Sequence, residues 1–177
     1  MPIPPGTHMF GPENGTLAVH TGRTGVAAKA GHDLVIDVNS WQATLEVGEQ
    51  ISLVLDADPT SLRVREGTGG MQALGDDDKA NIEQTIGDEI LKGHRIEFRS
   101  TAAQIDGSRI GVQGELTLVG ATAPIAFDLT HGAGGALSGS AVVKQTDWGI
   151  APYSTLFGTL KVVDEVEVTI DLPAQSR

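Results

Sequence analysis

The chain contains no cysteine. Disulfides, thiolate nucleophiles, thiolate zinc sites and iron–sulfur clusters are excluded together. Aromatic residues are scarce, with two Trp, one Tyr and four Phe among 177 residues, which limits any function that stacks bases or sugars on flat rings. Positive charge is short as well: 12 Lys and Arg stand against 23 Asp and Glu, a net charge of −11 with His neutral. A nucleic-acid binder needs a positive field to displace phosphate counterions, and docking on anionic lipid head groups needs the same. No apolar run approaches the roughly 20 residues that span a bilayer. Nucleic acid and integral membrane association are therefore not expected. Residues 1–12 carry Pro2, Pro4, Pro5 and Pro12 without the basic head and apolar segment of a secretory leader. This predicts a cytoplasmic protein, with export left open where a leader has been removed. The length fits one domain, read here as a flexible proline-rich arm over 1–12 and a folded unit over 13–173.

Glycine is abundant, at 23 residues, which suits turns and bent strands better than long helices. One helix is predicted. Ile82, Ile86 and Ile90 recur every four residues with Leu91 beside them, an apolar stripe at helical spacing. Asp76, Asp77 and Asp78 suit its N-terminal end, and Lys92 with Gly93 marks its stop. Much of the negative charge falls here, since Glu83, Asp88 and Glu89 follow with only Lys79 to oppose them. Such a run reads as a solvated helix face.

Most of the remainder alternates with period two: Leu34, Ile36 and Val38; Trp41, Ala43, Leu45 and Val47; Ile51, Leu53 and Leu55; Ile96 and Phe98; Ile110 and Val112; Leu116 and Leu118; Ile125, Phe127 and Leu129; Val166, Val168, Ile170 and Leu172. This is the signature of half-buried strands. Turn residues separate them at hairpin spacing, as at Asn39-Ser40, Gly48-Glu49 and Asp106-Gly107. A closed antiparallel barrel or a two-sheet sandwich would resolve the edges of so many strands. The helix interrupts the strands once, after Gly67-Thr68-Gly69-Gly70, where it could cover an open end.

Catalytic patterns are missing. Gly67-Thr68-Gly69-Gly70 lacks the Lys-Ser/Thr ending of a phosphate loop, and there is no Gly-x-Ser-x-Gly elbow. His8, His20, His32, His94 and His131 are scattered without metal-ligand spacing, so neither a metal nor another cofactor is expected. His32 invites two readings: a polar group at a cavity mouth, contacting a ligand or acting as a base, or a histidine satisfied near a turn. His94 shares strand parity with Ile96 and Phe98, and Trp148 sits in a bend where it could be core or mouth. Interior strand positions are mostly aliphatic, among them Leu17, Val19, Leu34, Ile36, Leu45, Leu53, Leu55, Leu116 and Leu118. Small residues such as Ala28 and Ala43 lie where bulk would help fill a core. A small barrel either fills itself with side chains or holds one elongated ligand, and this lining suits a hydrocarbon more than a sugar or a charged metabolite.

Six segments in order resemble the YceI family. They are the strand ending in Gly31-His32; Ser61-Leu62; the acidic helix from Asp76 to Leu91; Ile96-Glu97-Phe98-Arg99-Ser100-Thr101; Gly114-Glu115-Leu116-Thr117-Leu118-Val119-Gly120 with Pro124; and Asp147-Trp148-Gly149-Ile150. Gly93-His94 stands where relatives carry Tyr-Pro, and Asp33 where an aromatic is common. The resemblance implies a lipocalin-like closed antiparallel β-barrel of about eight strands with one inserted amphipathic helix. It further implies non-catalytic binding, transport or storage of an isoprenoid-like apolar lipid inside the barrel. The expected cavity lining is Val19, Ala28, His32, Leu34, Ile36, Leu45, Leu53, Leu55, His94, Phe98, Leu116, Leu118, Phe127 and Trp148. Two other readings stand beside it: a filled barrel acting as a stress-related protein-interaction module, with a homodimer open, and an enzyme using His32 or His94 on an apolar substrate.

Overall fold

Segments that alternate apolar and polar residues satisfy their backbone by pairing edge to edge. A computed structural model describes residues 4–24, 32–68, 74–155 and 160–173, and eleven strands pair in one antiparallel sheet. They are β1 (Gly6–Phe10), β2 (Thr16–Thr21), β4 (Asp33–Val38), β5 (Trp41–Val47), β6 (Ile51–Ala57), β7 (Leu62–Thr68), β8 (Ile96–Asp106), β9 (Arg109–Leu118), β10 (Ala121–His131), β11 (Leu137–Lys144) and β14 (Glu165–Leu172). Their spatial order is β1-β5-β6-β8-β9-β10-β11-β14-β2-β4-β7. A small second sheet joins β3 (Arg23–Thr24), β12 (Ser154–Thr155) and β13 (Leu160–Val162), with β13 in the middle.

The architecture corrects the expected closed eight-strand barrel. The eleven strands curl into a half-barrel whose edges, β1 and β7, share no ladder among the described residues. Composition hid the additional strands. β7 carries Arg63, Arg65 and Glu66, and β11 is built on Leu-Ser-Gly-Ser. Residues Gly6–Phe10, expected as part of a loose arm, pair with β5 from Gly6↔Val47 to Phe10↔Ala43. Ile110–Val112 and Leu116–Leu118, separate runs in the sequence, belong to the single strand β9.

Curling has local causes. Register shifts fall between Val35 and Ile36 in the β4–β7 pair and between Ser100 and Ala102 in the β8–β9 pair, and such bulges increase twist. Two glycines permit close approach inside the sheet. A Cβ at Gly114 would stand 2.4 Å from the Arg99 carbonyl oxygen, and one at Gly139 would stand 2.5 Å from that of Asp128. Bends at glycine are a general route to sheet curvature.

The helix, α1 (Asp76–Thr85), continues into a π-helical turn over Ile86–Ile90. The sequence reads as one regular helix to Leu91; instead the Leu91 N–H donates to the Ile86 carbonyl across five residues, at 2.8 Å. Gly87 is buried there, its Cβ direction facing the Pro59 carbonyl oxygen at 3.8 Å. The wider turn lets the chain pass over the short 3-10 turn at Pro59–Ser61. Asp78 accepts a hydrogen bond from the Gly75 N–H at 3.1 Å, close to the positive end of the helix dipole. Asp76, Asp77, Asp88 and Glu89 are exposed, as expected for a solvated face. Glu83 behaves differently. Half-buried, its Oε2 accepts from the Val64 N–H on the edge strand β7 at 2.8 Å. A carboxylate from the helix thus occupies a backbone donor that an exposed edge would offer to another strand.

Candidate ligand-binding cavity

The concave face of the half-barrel and the inner face of the helix border a cavity of about 560 Å³. Strand alternation delivers the wall. Leu45 pairs with Leu53, Leu55 with Phe98, and Phe98 with Leu116. On the far side of the sheet Val168 pairs with Val19, and Val19 with Ile36. Each row presents aliphatic side chains at the cross-strand spacing where they pack. Ile82, Ile86 and Ile90 of the helix line the cavity as well, so the period-four stripe faces the cavity and the acidic face the solvent. Phe98 and Phe127 form a tilted ring pair, centroids 5.3 Å apart at 56°. The Phe98 ring lies against Gly114, where a Cβ would come within 2.6 Å of Cζ.

Of the residues expected in the lining, Val19, His32, Leu34, Ile36, Leu45, Leu53, Leu55, Phe98, Leu116, Leu118 and Phe127 border the cavity. Ala28 lies outside the described residues. His94 and Trp148 do not border it. His94 is exposed just before β8, where its N–H donates to the Leu91 carbonyl at 3.0 Å and closes the helix-to-strand turn. Strand parity misplaces it because the strand begins only at Ile96. Trp148 is buried in the core, and its Nε1–H donates to the Leu116 carbonyl at 2.7 Å. It supports the wall through a lining residue.

Sequence reasoning overlooked part of the lining. Phe10 falls in the expected arm, and Gln145 follows β11, a strand that glycine and serine conceal. The helix isoleucines, an apolar stripe in the sequence, belong to the lining as well. Their spacing was the available signal, and only the tertiary structure shows that they face open space.

Polar residues also border the cavity, among them Asn81 and Thr85 of the helix, Ser140 of β11 and Tyr153. Thr21, Arg23 and His32 come from the neighbouring ends of β2, β3 and β4, and Gln145 from the 3-10 turn after β11. Arg23 Nε lies 3.8 Å from Asp33 Oδ1, and Thr21 Oγ1 accepts from the Leu34 N–H at 3.2 Å. The other histidines are engaged elsewhere. His131 Nε2 donates to the Gly107 carbonyl at 2.8 Å, His8 Nε2 donates to that of Pro4 at 2.7 Å, and His20 Nε2 is bonded to Thr169 Oγ1 at 3.1 Å.

The groups with displaced titration, Asp58, Arg65 and Asp164, are not cavity residues. The Thr60 hydroxyl and N–H hold Asp58 below the usual carboxylate range, the Thr146 hydroxyl does so for Asp164, and hydrogen bonding to Asp37 raises Arg65. Among the described residues no three His, Asp or Glu side chains gather as a metal site. No helix there is long and apolar enough to cross a membrane.

Several solved structures share this fold. BcnA of Burkholderia cenocepacia superposes with a TM-score of 0.66 at 15% identity, covering 90% of this chain and 96% of its own. The YceI protein of Campylobacter jejuni superposes at 0.55 with 15% identity, over 80% of this chain and 84% of that one. A variant of the latter, solved with a monobromobimane guest, matches equally well, at 0.55. No curated protein matches the chain in sequence. The model of the YceI-like domain, in contrast, matches residues 8–174. That span takes in part of the edge strand β1 and all of the helix and of the strands from β2 to β14, and it places the chain in the YceI family.

Proposed function

We propose that the protein binds, stores or carries an apolar lipid inside the half-barrel, without catalysing its conversion. The observation that supports this most directly is the cavity itself: about 560 Å³ of space walled mostly by Leu, Ile, Val and Phe. A filled interior, which a module acting only through its surface would have, does not match it. Space of that size falls within the range of small-molecule sites. At about 30 Å³ per non-hydrogen atom, the share of one water in the liquid, it accommodates roughly 19 such atoms. That is one chain of about 18 carbons, isoprenoid or linear, and less than a two-chain phospholipid. Burying each CH₂ contributes about 0.8 kcal/mol, against which association costs a comparable sum. Even at about 0.3 kcal/mol per atom, a ligand of this size binds with a Kd of tens of micromolar or tighter. His8, His20 and His131 are bonded elsewhere and His94 does not border the cavity, which supports binding over turnover.

Organic extraction of protein purified without detergent, followed by mass spectrometry, should release a single-chain apolar molecule in near-stoichiometric amount. Empty protein from several hosts that also fails to take up an added C18 chain would contradict the proposal.

A further inference from the structure

Gln145 is the buried polar side chain that the apolar wall does not explain. It is 9% exposed, it borders the cavity, and it opens the 3-10 turn Gln145–Trp148. Its backbone is fully employed: the N–H donates to the Asp164 carbonyl at 3.0 Å and the carbonyl accepts from the Ile150 N–H at 3.2 Å. Its side chain is half employed. Nε2 donates to the Val163 carbonyl at 3.3 Å, while Oε1 and the second amide hydrogen carry no hydrogen bond among the described residues. The one fully enclosed side-chain atom without a partner there is Trp41 Nε1. The Gln145 oxygen therefore retains accessible surface, on a residue that borders the cavity.

An amide has both an acceptor and a donor to offer, and leaving them against hydrocarbon is unfavourable. The side chain cannot turn away without losing the Val163 bond. The amide is neutral, and the cationic side chain on the lining, Arg23, already has Asp33 beside it.

Resting on the lipid-binding reading above, we infer that Gln145 is a specificity residue for the ligand's polar end. The preferred ligand is a single apolar chain ending in an uncharged hydrogen-bonding group, a hydroxyl or a carboxamide, which the Gln145 amide binds. An uncharged terminus completes the amide's hydrogen bonds without bringing an unpaired charge into the cavity.

The test compares Kd values for four C18 probes on the full chain: oleyl alcohol, oleamide, oleate and 1-octadecene, each displacing a bound fluorescent hydrocarbon. The wild-type protein is expected to bind the alcohol and the amide about tenfold more tightly than 1-octadecene, and more tightly than oleate. Gln145→Leu should abolish that preference while leaving 1-octadecene binding intact. Gln145→Met, closer in shape, repeats the comparison should the leucine variant fold poorly, and the wild-type ranking stands without either. Equal binding of alcohol and alkene, a preference that survives in the variants, or tightest binding of oleate would overturn the inference while sparing the cavity. Failure of every probe to bind would remove the lipid-binding reading itself.

Discussion

Two tryptophans show how far the environment of one atom decides the worth of a side chain. Both are buried, Trp41 at 6% and Trp148 at 4% exposure. The Trp148 N–H is bonded to the Leu116 carbonyl at 2.7 Å, whereas Trp41 Nε1 has no partner among the described residues. Replacing either by Phe removes a similar volume, so the difference between the variants isolates the N–H. A bonded donor contributes about 1 kcal/mol, and an orphaned one costs a similar amount or more. Trp148→Phe should therefore lower Tm by several degrees, at about 2–4 °C per kcal/mol for a chain of this size. Trp41→Phe should lower it less. Thermal melts of the two variants check this, and the reverse order would contradict it. Residue identity alone could not have separated them, because both sit in apolar surroundings and the hydrogen bond joins positions 32 apart in sequence.

Elements are held by short capping interactions, and two of these titrate. Asp58 Oδ1 accepts from the Thr60 N–H at 2.8 Å and its hydroxyl at 2.7 Å, fixing the turn at Pro59–Ser61 beneath the π-helical segment. Asp164 accepts from the Thr146 N–H at 2.9 Å and its hydroxyl at 2.6 Å, fixing the turn that carries Gln145. Both carboxyls are held below the ordinary value of 3.8. The folded state thus binds their protons less readily than the unfolded chain. Their contribution is complete above that ordinary value and is lost as pH falls through the lowered one. Tm should be flat near neutrality and fall below about pH 4. The Asp58→Asn/Asp164→Asn variant should start lower at pH 7 and lose less on acidification. An acid limb of unchanged steepness in that variant would contradict the assignment. At this scale the sequence was informative where periodicity was strong. Val166, Val168 and Ile170 announced β14, and the isoleucines announced the helix. It was silent on β7, where Arg65 sits at the register shift and pairs with Asp37. It was silent on β1 as well, where Gly6–Phe10 follow two prolines and depend on β5 for pairing.

At the scale of the molecule, alternation specifies which side chains face inward but not whether they meet. The same aliphatic positions could have filled a closed barrel of fewer strands. Eleven strands, bulges at two ladders and a helix laid along the β7 edge hold the walls apart instead. Expected wall residues within regular strands, from Val19 to Phe127, border the cavity. His94 and Trp148, which lie in turns where parity does not apply, do not. Hollowness itself was not legible, since it depends on curvature fixed by contacts such as Gly114 against Arg99 and Gly139 against Asp128. The central claim is that this space holds one chain-like apolar ligand. Ala141, on β11 opposite Val168, borders the cavity, so a large side chain there fills space without cutting a core contact. The most direct measurement is uptake of oleyl alcohol by wild-type protein and by Ala141→Trp, read by native mass spectrometry alongside a thermal melt. The account predicts one molecule per wild-type chain and at least a tenfold loss in the variant, which stays folded. No uptake by the wild type, or equal uptake by a folded Ala141→Trp protein, would contradict it.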